Sequence, residues 1–139
     1  MQVIYNQNNQ HLLRFDTGEE VLGLLQDYCQ KENIEAGVLW GVGAVDEITI
    51  SWYNLEEKKY HDHELKKRLE VSALHGNISL KEGKPIVHAH GSFSDFELHS
   101  RSGHAKKMIV SATVEIFIQQ LEGKIERKPD EKTGLHLLS

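Results

Sequence analysis

Only one stretch of this sequence, Val21 to about Glu32, repeats its apolar residues at helical spacing. Val21, Leu22, Leu25, Tyr28 and Cys29 lay a single apolar stripe along one helix face. Just ahead of it, Thr17-Gly18-Glu19-Glu20 fits a capping box, with the Thr hydroxyl on an early helical amide and Glu20 reaching back. Cys29, on the buried side of this helix, reads as core filler rather than nucleophile. No later segment shows such a stripe, so the rest of the core has to be closed by strands.

Those strands are visible in outline. A polar turn over Asn6 to Gln10 leads into a short strand, Leu12 to Phe15. Ala36 to Val45 is apolar and broken by glycines, the pattern of a buried strand ending in a tight turn. Glu47 to Asn54 alternates through Ile48, Ile50 and Trp52. Leu69 to Leu80 carries Leu69, Val71 and Ala73 on one face, with Gly76-Asn77 as a turn or bulge signal. Pro85 to Phe93 and Lys107 to Ile118 are two more extended stretches. Glu122 to Asp130 is charged, contains Pro129, and reads as strand end and loop. Strands joined by short turns predict an α+β fold: a mainly antiparallel β-sheet packed with one principal α-helix.

With 139 residues, 39% apolar and 27% charged, the chain is expected to form a single domain, residues 1–139. Its core is expected over about residues 10–122, with a C-terminal tail at 123–139. No apolar run approaches the roughly 20 residues of a bilayer span, and the first residues lack the pattern of a secretory signal. One cysteine offers no internal disulfide, which fits a cytoplasmic location. The net charge is −5, and the basic runs at Lys58-Lys59, Lys66-Lys67-Arg68 and Lys106-Lys107 sit among acidic residues. That balance speaks against a phosphate-tracking DNA surface.

Histidine is the compositional oddity: nine in the chain, four of them between residues 88 and 104. In Pro85-Ile86-Val87-His88-Ala89-His90-Gly91-Ser92-Phe93-Ser94-Asp95, strand geometry puts His88 and His90 on one face. Val87, Ala89 and Phe93 then face the core. If Ser92 to Asp95 turns and residues 104–112 run back antiparallel, His104 reaches the same face. Three neutral imidazoles form a donor set suited to zinc, or another divalent transition metal, with a fourth position left open. Alone, a His-x-His pair on a strand is more often than not merely two half-exposed polar residues. His99 reads as solvent-exposed, and His61 and His63 as surface strand without a third partner. His11, His75 and His136 have no partner that spacing identifies.

No Gly-x-Ser-x-Gly elbow, His-Glu-x-x-His helix, P-loop or Rossmann glycine pattern is present. A cupin would place Glu four or five residues after the His pair, where this chain has Ser94 and Asp95.

Five segments in order resemble the PPC (plants and prokaryotes conserved) domain: Gly41-Val42-Gly43-Ala44-Val45, Leu69 to Ser79, Val87-His88-Ala89-His90, Gly103-His104 and Ala112-Thr113-Val114-Glu115-Ile116. The resemblance covers nearly the whole chain, to about residue 120. It implies an α+β fold with a largely antiparallel sheet, assembled as a homotrimer. It also implies that His88, His90 and His104 match the family's metal-ligand positions, with zinc the usual ion. Ser102-Gly103-His104 stands where the family usually has Gly-Gly-His, and Ala105 where it often has Leu. Plant members add a DNA-binding AT-hook of the Arg-Gly-Arg-Pro type, which this sequence does not contain. Two functions follow as expectations. The first is a zinc-binding homotrimer handling a small-molecule ligand, with Asp95 or Glu115 orienting a water or a ligating His. The second is a DNA-binding or regulatory assembly module without catalysis. The sequence does not decide whether the chain is an enzyme and names no reaction.

Overall fold

The structure, a computed structural model, describes residues 1–139. In chain order the elements are β1 (Gln2–Gln7), β2 (Gln10–Asp16), α1 (Val21–Lys31), β3 (Gly37–Asn54), β4 (Lys59–Lys81), β5 (Lys84–Ser94), β6 (Ser100–Gln120), β7 (Glu126–Asp130) and β8 (Leu135–Leu138). All strand pairs are antiparallel except β4 with β7. The architecture is the expected one: a mostly antiparallel sheet and one helix.

The pairing of four long strands closes on itself. β3 bonds to β4, β4 to β5, β5 to β6, and β6 back to β3. Outside this circuit β2 and then β1 extend from β6, while β7 and then β8 extend from β4. Strands of this length bend around a core through irregularities in register, which fall at Gly41/Gly43 and Val45/Glu47 on β3 and at Val71/Ala73 on β4. Gly43 has φ +148°, and a Cβ there would lie 2.3 Å from the Thr113 carbonyl oxygen. The bend therefore requires glycine.

One apolar cluster fills the interior. Leu13 and Phe15 of β2, Ile48 of β3, Ile78 of β4, Phe93 of β5, and Met108, Val114 and Ile116 of β6 are fully buried in it. The α1 helix covers β5 and β6, burying Val21, Leu25, Tyr28 and Cys29 against them. Burial pushes the Cys29 thiol up to about 12, so it stays protonated and inert, as core filler should.

Several local expectations need correction. The helix is capped by Glu20, not Thr17: the Glu20 carboxylate accepts from the Leu22 and Gly23 amides. The Thr17 hydroxyl is used elsewhere, on the Ser111 and Ala112 carbonyls, because Gly18 at φ +85° turns the chain there. Gly37–Asn54 forms one bulged strand rather than two strands around a tight turn. Gly76-Asn77 is not a turn: β4 runs straight through it to Lys81. Residues 123–139 carry β7 and β8, with Pro129 inside β7 opposite His136.

Candidate metal centre

Strand β5 sets the site. Ala89 and Phe93 point into the core, 1% and 0% exposed, and the pleat then turns His88 and His90 to the opposite face. β5 lies between two partners, so each histidine has defined neighbours. His90 is directly opposite His75 of β4 and His104 of β6; His88 is opposite Asn77 of β4. The row continues sideways, His104 opposite Ser51 of β3 and Ser51 opposite Asp62 of β4. Gly76 lets β4 and β5 approach at this point, since a Cβ there would sit 2.2 Å from the His88 carbonyl oxygen.

The three rings converge. Their centroids are 5.3 Å apart for His88 and His90, 5.1 Å for His88 and His104, and 5.4 Å for His90 and His104. One nitrogen from each ring lies within 4.8 Å of the other two. His88 and His104 are half-buried and His90 is exposed. Burial, followed by repulsion from His88 and His90, pushes His104 down to about 4. His88 is also lowered, by burial first and then by Arg127 and His90. At neutral pH both rings are therefore uncharged, the form in which imidazole ligates a metal. The His104 Nδ1 is buried without a hydrogen-bond partner. An orphaned imidazole nitrogen within a three-histidine cluster fits a metal ion, because coordination removes the cost of an unsatisfied polar atom.

Packing restrains these rings. Tyr60 lies 5.2 Å from His104, centroid to centroid, and 4.8 Å from Tyr53. Arg127 of β7 reaches His88, its Nη2 lying 3.2 Å from Nδ1. The cluster opens into a cavity of about 1090 Å³ walled by Ser51, Trp52 and Tyr53 of β3, Tyr60 and Asp62 of β4, Ser102 of β6 and Leu135 of β8. Asp62 accepts from Ser51 Oγ at 2.7 Å and from Lys106 Nζ at 2.7 and 3.0 Å. These hydrogen bonds, Lys106 first, hold its carboxyl below the usual range. The wall thus combines aromatic faces, a serine hydroxyl and a carboxylate around the three imidazoles.

The two carboxylates expected from sequence to support the site stand elsewhere. Asp95 closes the turn after β5: Oδ1 accepts from the Glu97 and His99 amides and Oδ2 from Lys67 Nζ at 2.7 Å. It lines a different cleft, with Phe96 and Leu98. Glu115 is on the far part of β6, opposite Arg14 and Val42. Neither lines the histidine cavity. His99 is 75% exposed beside Glu97, His61 bonds Glu57, and His63 is an exposed residue on the cavity rim. Sequence reading missed Tyr60, Asp62 and Arg127. The alternation of Tyr60 and Asp62 across the Asn54–Lys59 hairpin from Tyr53 and Ser51 was the available signal for the first two. Arg127 carried none, since its parallel pairing with Lys81 joins distant segments.

The family model described as the Plants and Prokaryotes Conserved (PCC) domain matches residues 3–122. No curated protein matches the chain. Among solved structures, a plant- and prokaryote-conserved (PPC) protein from Pyrococcus horikoshii is 37% identical, with a TM-score of 0.89 over 100% of this chain and 96% of that one. A metal-containing protein from Archaeoglobus fulgidus is 31% identical, with a TM-score of 0.88 over 100% of this chain and 99% of that one. A protein from Ralstonia eutropha JMP134, named as a candidate DNA-binding protein, is 25% identical, with a TM-score of 0.86 over 93% of this chain and 90% of that one. With its closed strand circuit, its single helix and this match over most of its length, the chain belongs to the Plants and Prokaryotes Conserved domain family.

Proposed function

We propose that this chain binds a divalent transition metal, zinc foremost, through His88, His90 and His104, and presents it to a small molecule in the adjoining cavity of a homotrimer. The observation that carries this reading is the convergence of three imidazoles, one nitrogen of each within 4.8 Å of the others. A relative of similar length, from Archaeoglobus fulgidus, is described as metal-containing. An ion held by three histidines supplies Lewis-acid chemistry, acidifying a water and polarising an oxygen of whatever enters the fourth position. The chain's own residues do the rest. Tyr60 restrains the His104 ring, Trp52 and Tyr53 offer apolar faces, and Asp62 stays ionised on the wall with Ser51 and Lys106.

Support for self-association comes from the same outward sheet face as the histidines, where Trp40 lies opposite His75 and His75 opposite His90. Val38, Trp40 and Val42 of β3 and Phe117 of β6 are 41%, 49%, 52% and 38% exposed. Trp40 and Phe117 stack at 5.7 Å with 1° between their planes. A contiguous apolar patch of this kind marks a contact surface. No helix is long and apolar enough to cross a membrane; with its one buried thiol, we assign the chain to a reducing, cytoplasmic compartment.

DNA binding is the weaker reading. Lys67, Arg68, Lys106 and Lys107 are paired with Asp95, Asp46, Asp62 and Glu47, so the basic residues do not form a free track for phosphates.

The deciding experiment measures metal content and mass of untagged protein, alongside His88→Ala and His104→Ala. Stoichiometric metal in the parent, lost in both variants with the trimer and the fold intact, is expected. A parent without metal after zinc loading sinks the reading; collapse of the trimer in both variants makes the ion a structural staple instead. Duplex affinity with a steep negative salt slope would revive the DNA reading.

A further inference from the structure

Arg127 stands outside the segment matched by the family model, yet it touches the cluster. Its half-buried guanidinium donates only to neutral acceptors. Nε bonds Ser79 Oγ at 2.8 Å, Nη1 bonds the His136 carbonyl at 3.0 Å, and Nη2 is shared between Asn77 Oδ1 at 2.7 Å and His88 Nδ1 at 3.2 Å. One residue thereby ties β7, β8 and β4 to a histidine of the site.

A guanidinium has no acceptor, so His88 Nδ1 must accept. The single proton of a neutral imidazole then lies on Nε2. Either nitrogen brings a conflict with metal. If the ion takes Nδ1, ion and guanidinium seek the same lone pair. If the ion takes Nε2, that nitrogen must give up its proton and Nδ1 must carry one, which abolishes the acceptor Arg127 uses. A neutral His88 serves Arg127 or the ion. The usual support for a ligating histidine is an acceptor on its far nitrogen, such as a carboxylate or carbonyl; here the partner is a donor.

We propose that Arg127 competes with the metal for His88, so that metal occupancy is coupled to the seating of the β7–β8 hairpin. The inference rests on the three-histidine reading above. Coupling of this kind is reciprocal: the amount by which a seated Arg127 weakens metal binding is the amount by which bound metal loosens the Arg127 contact. The contact released is that of Nη2 with His88, while the bonds to Ser79 and the His136 carbonyl remain to hold the guanidinium near the site.

The test is zinc competition against a chromophoric chelator, at one pH, for the full chain and for Arg127→Met. The variant is expected to bind zinc about ten-fold more tightly, the scale of one charge-assisted hydrogen bond. Loss of an ordinary supporting partner weakens metal binding roughly 10–100-fold, so the sign of the change discriminates. Because the substitution could unseat the hairpin by itself, the ring ¹⁵N spectrum of His88 is also recorded in the unaltered protein. The Nε2-protonated tautomer is expected before zinc, and its loss after zinc, together with faster amide exchange over residues 126–138. Equal or weaker zinc binding by the variant overturns the proposal, as does a His88 already protonated at Nδ1 before zinc is added. Zinc held equally by both proteins removes this inference alone. Zinc held by neither removes the metal reading and this inference with it.

Discussion

His90 on β5 and His104 on β6 occupy one directly opposed position of the ladder, with ring centroids 5.4 Å apart. A slip of one residue in this pairing would send one of the two rings to the face where Ala89 and Phe93 lie in the core. The geometry of the cluster is therefore only as secure as the register of β5, and what fixes that register becomes part of the site.

Gly76 fixes it on the β4 side. A Cβ at this position would meet the His88 carbonyl oxygen at 2.2 Å and the Ala89 Cα at 2.8 Å, both of them backbone atoms that cannot rotate away. Gly76→Ala should cost about 2–3 kcal/mol in urea unfolding, at the upper end for overpacking, and should weaken zinc binding in the fraction that folds. Gly83→Ala is the control. It lies in the β4–β5 turn at φ +75° with nothing near its Cβ, so it should lose stability from strain alone and keep its zinc affinity.

Acid should act through His104. Its ordinary value is 6.5, and in the fold burial and then the neighbouring histidines bring it to about 4. The unfolded chain thus takes up this proton before the folded one does. The contribution to stability is constant above about pH 6.5 and is lost as the pH falls from there through about 4. Chemical denaturation of metal-free protein at pH 7.5, 5.5 and 4 should show this decline, and His104→Ala should flatten it. The same depressed value predicts that cobalt, followed by its visible absorption, remains bound at pH 5.5, where ordinary histidines are mostly protonated.

Asp95 gives a contrasting result. Its carboxylate organises the β5–β6 turn through the Glu97 and His99 amides and pairs with Lys67. Asp95→Ala should cost about 1–2 kcal/mol of stability, the usual range for lost turn and charged hydrogen bonds, and leave metal affinity unchanged. A large loss of zinc affinity in a folded Asp95→Ala protein would restore it to the site.

The exposed stack of Trp40 on Phe117 gives the proposed self-association a direct test. If the chain assembles as the proposed homotrimer, Trp40→Lys should convert it to monomers in sedimentation or light scattering. The monomer should remain folded, at a cost of about 1 kcal/mol for the lost aromatic pair, because neither side chain belongs to the core.

How much of this was legible in the sequence depends on how far each residue's partners lie along the chain. His88 and His90 declared themselves through the two-residue period set by Ala89 and Phe93, a purely local signal. His104 followed from a return strand. That strand starts earlier than expected, at Ser100, because Asp95 ties its own turn and Leu98 adopts φ +63°. Asp62 and Tyr60 were hidden in a run of alternating charges that looked like solvent-facing strand, and only the pairing with Ser51 and Tyr53 turns them toward the cavity. Arg127 depends on a parallel contact between β4 and β7, for which no hairpin spacing exists to be read. The edge strands went unread for a different reason. All six residues of β1 are exposed, so Val3, Ile4 and Tyr5 follow no inward and outward alternation.

The three histidines all belong to one hairpin, β5 and β6 joined by the short turn at 95–99. Hairpins of this kind form in about 1–10 μs. The contact of His104 with Ser51 must instead await closure of a long loop, which is slower. A cation captured by the hairpin would therefore clasp β5 to β6 before β3 has arrived. In a chain diluted out of urea with the cation present, β5 would then be clasped to β6 alongside the equally local β3–β4 hairpin, before β6 closes onto β3.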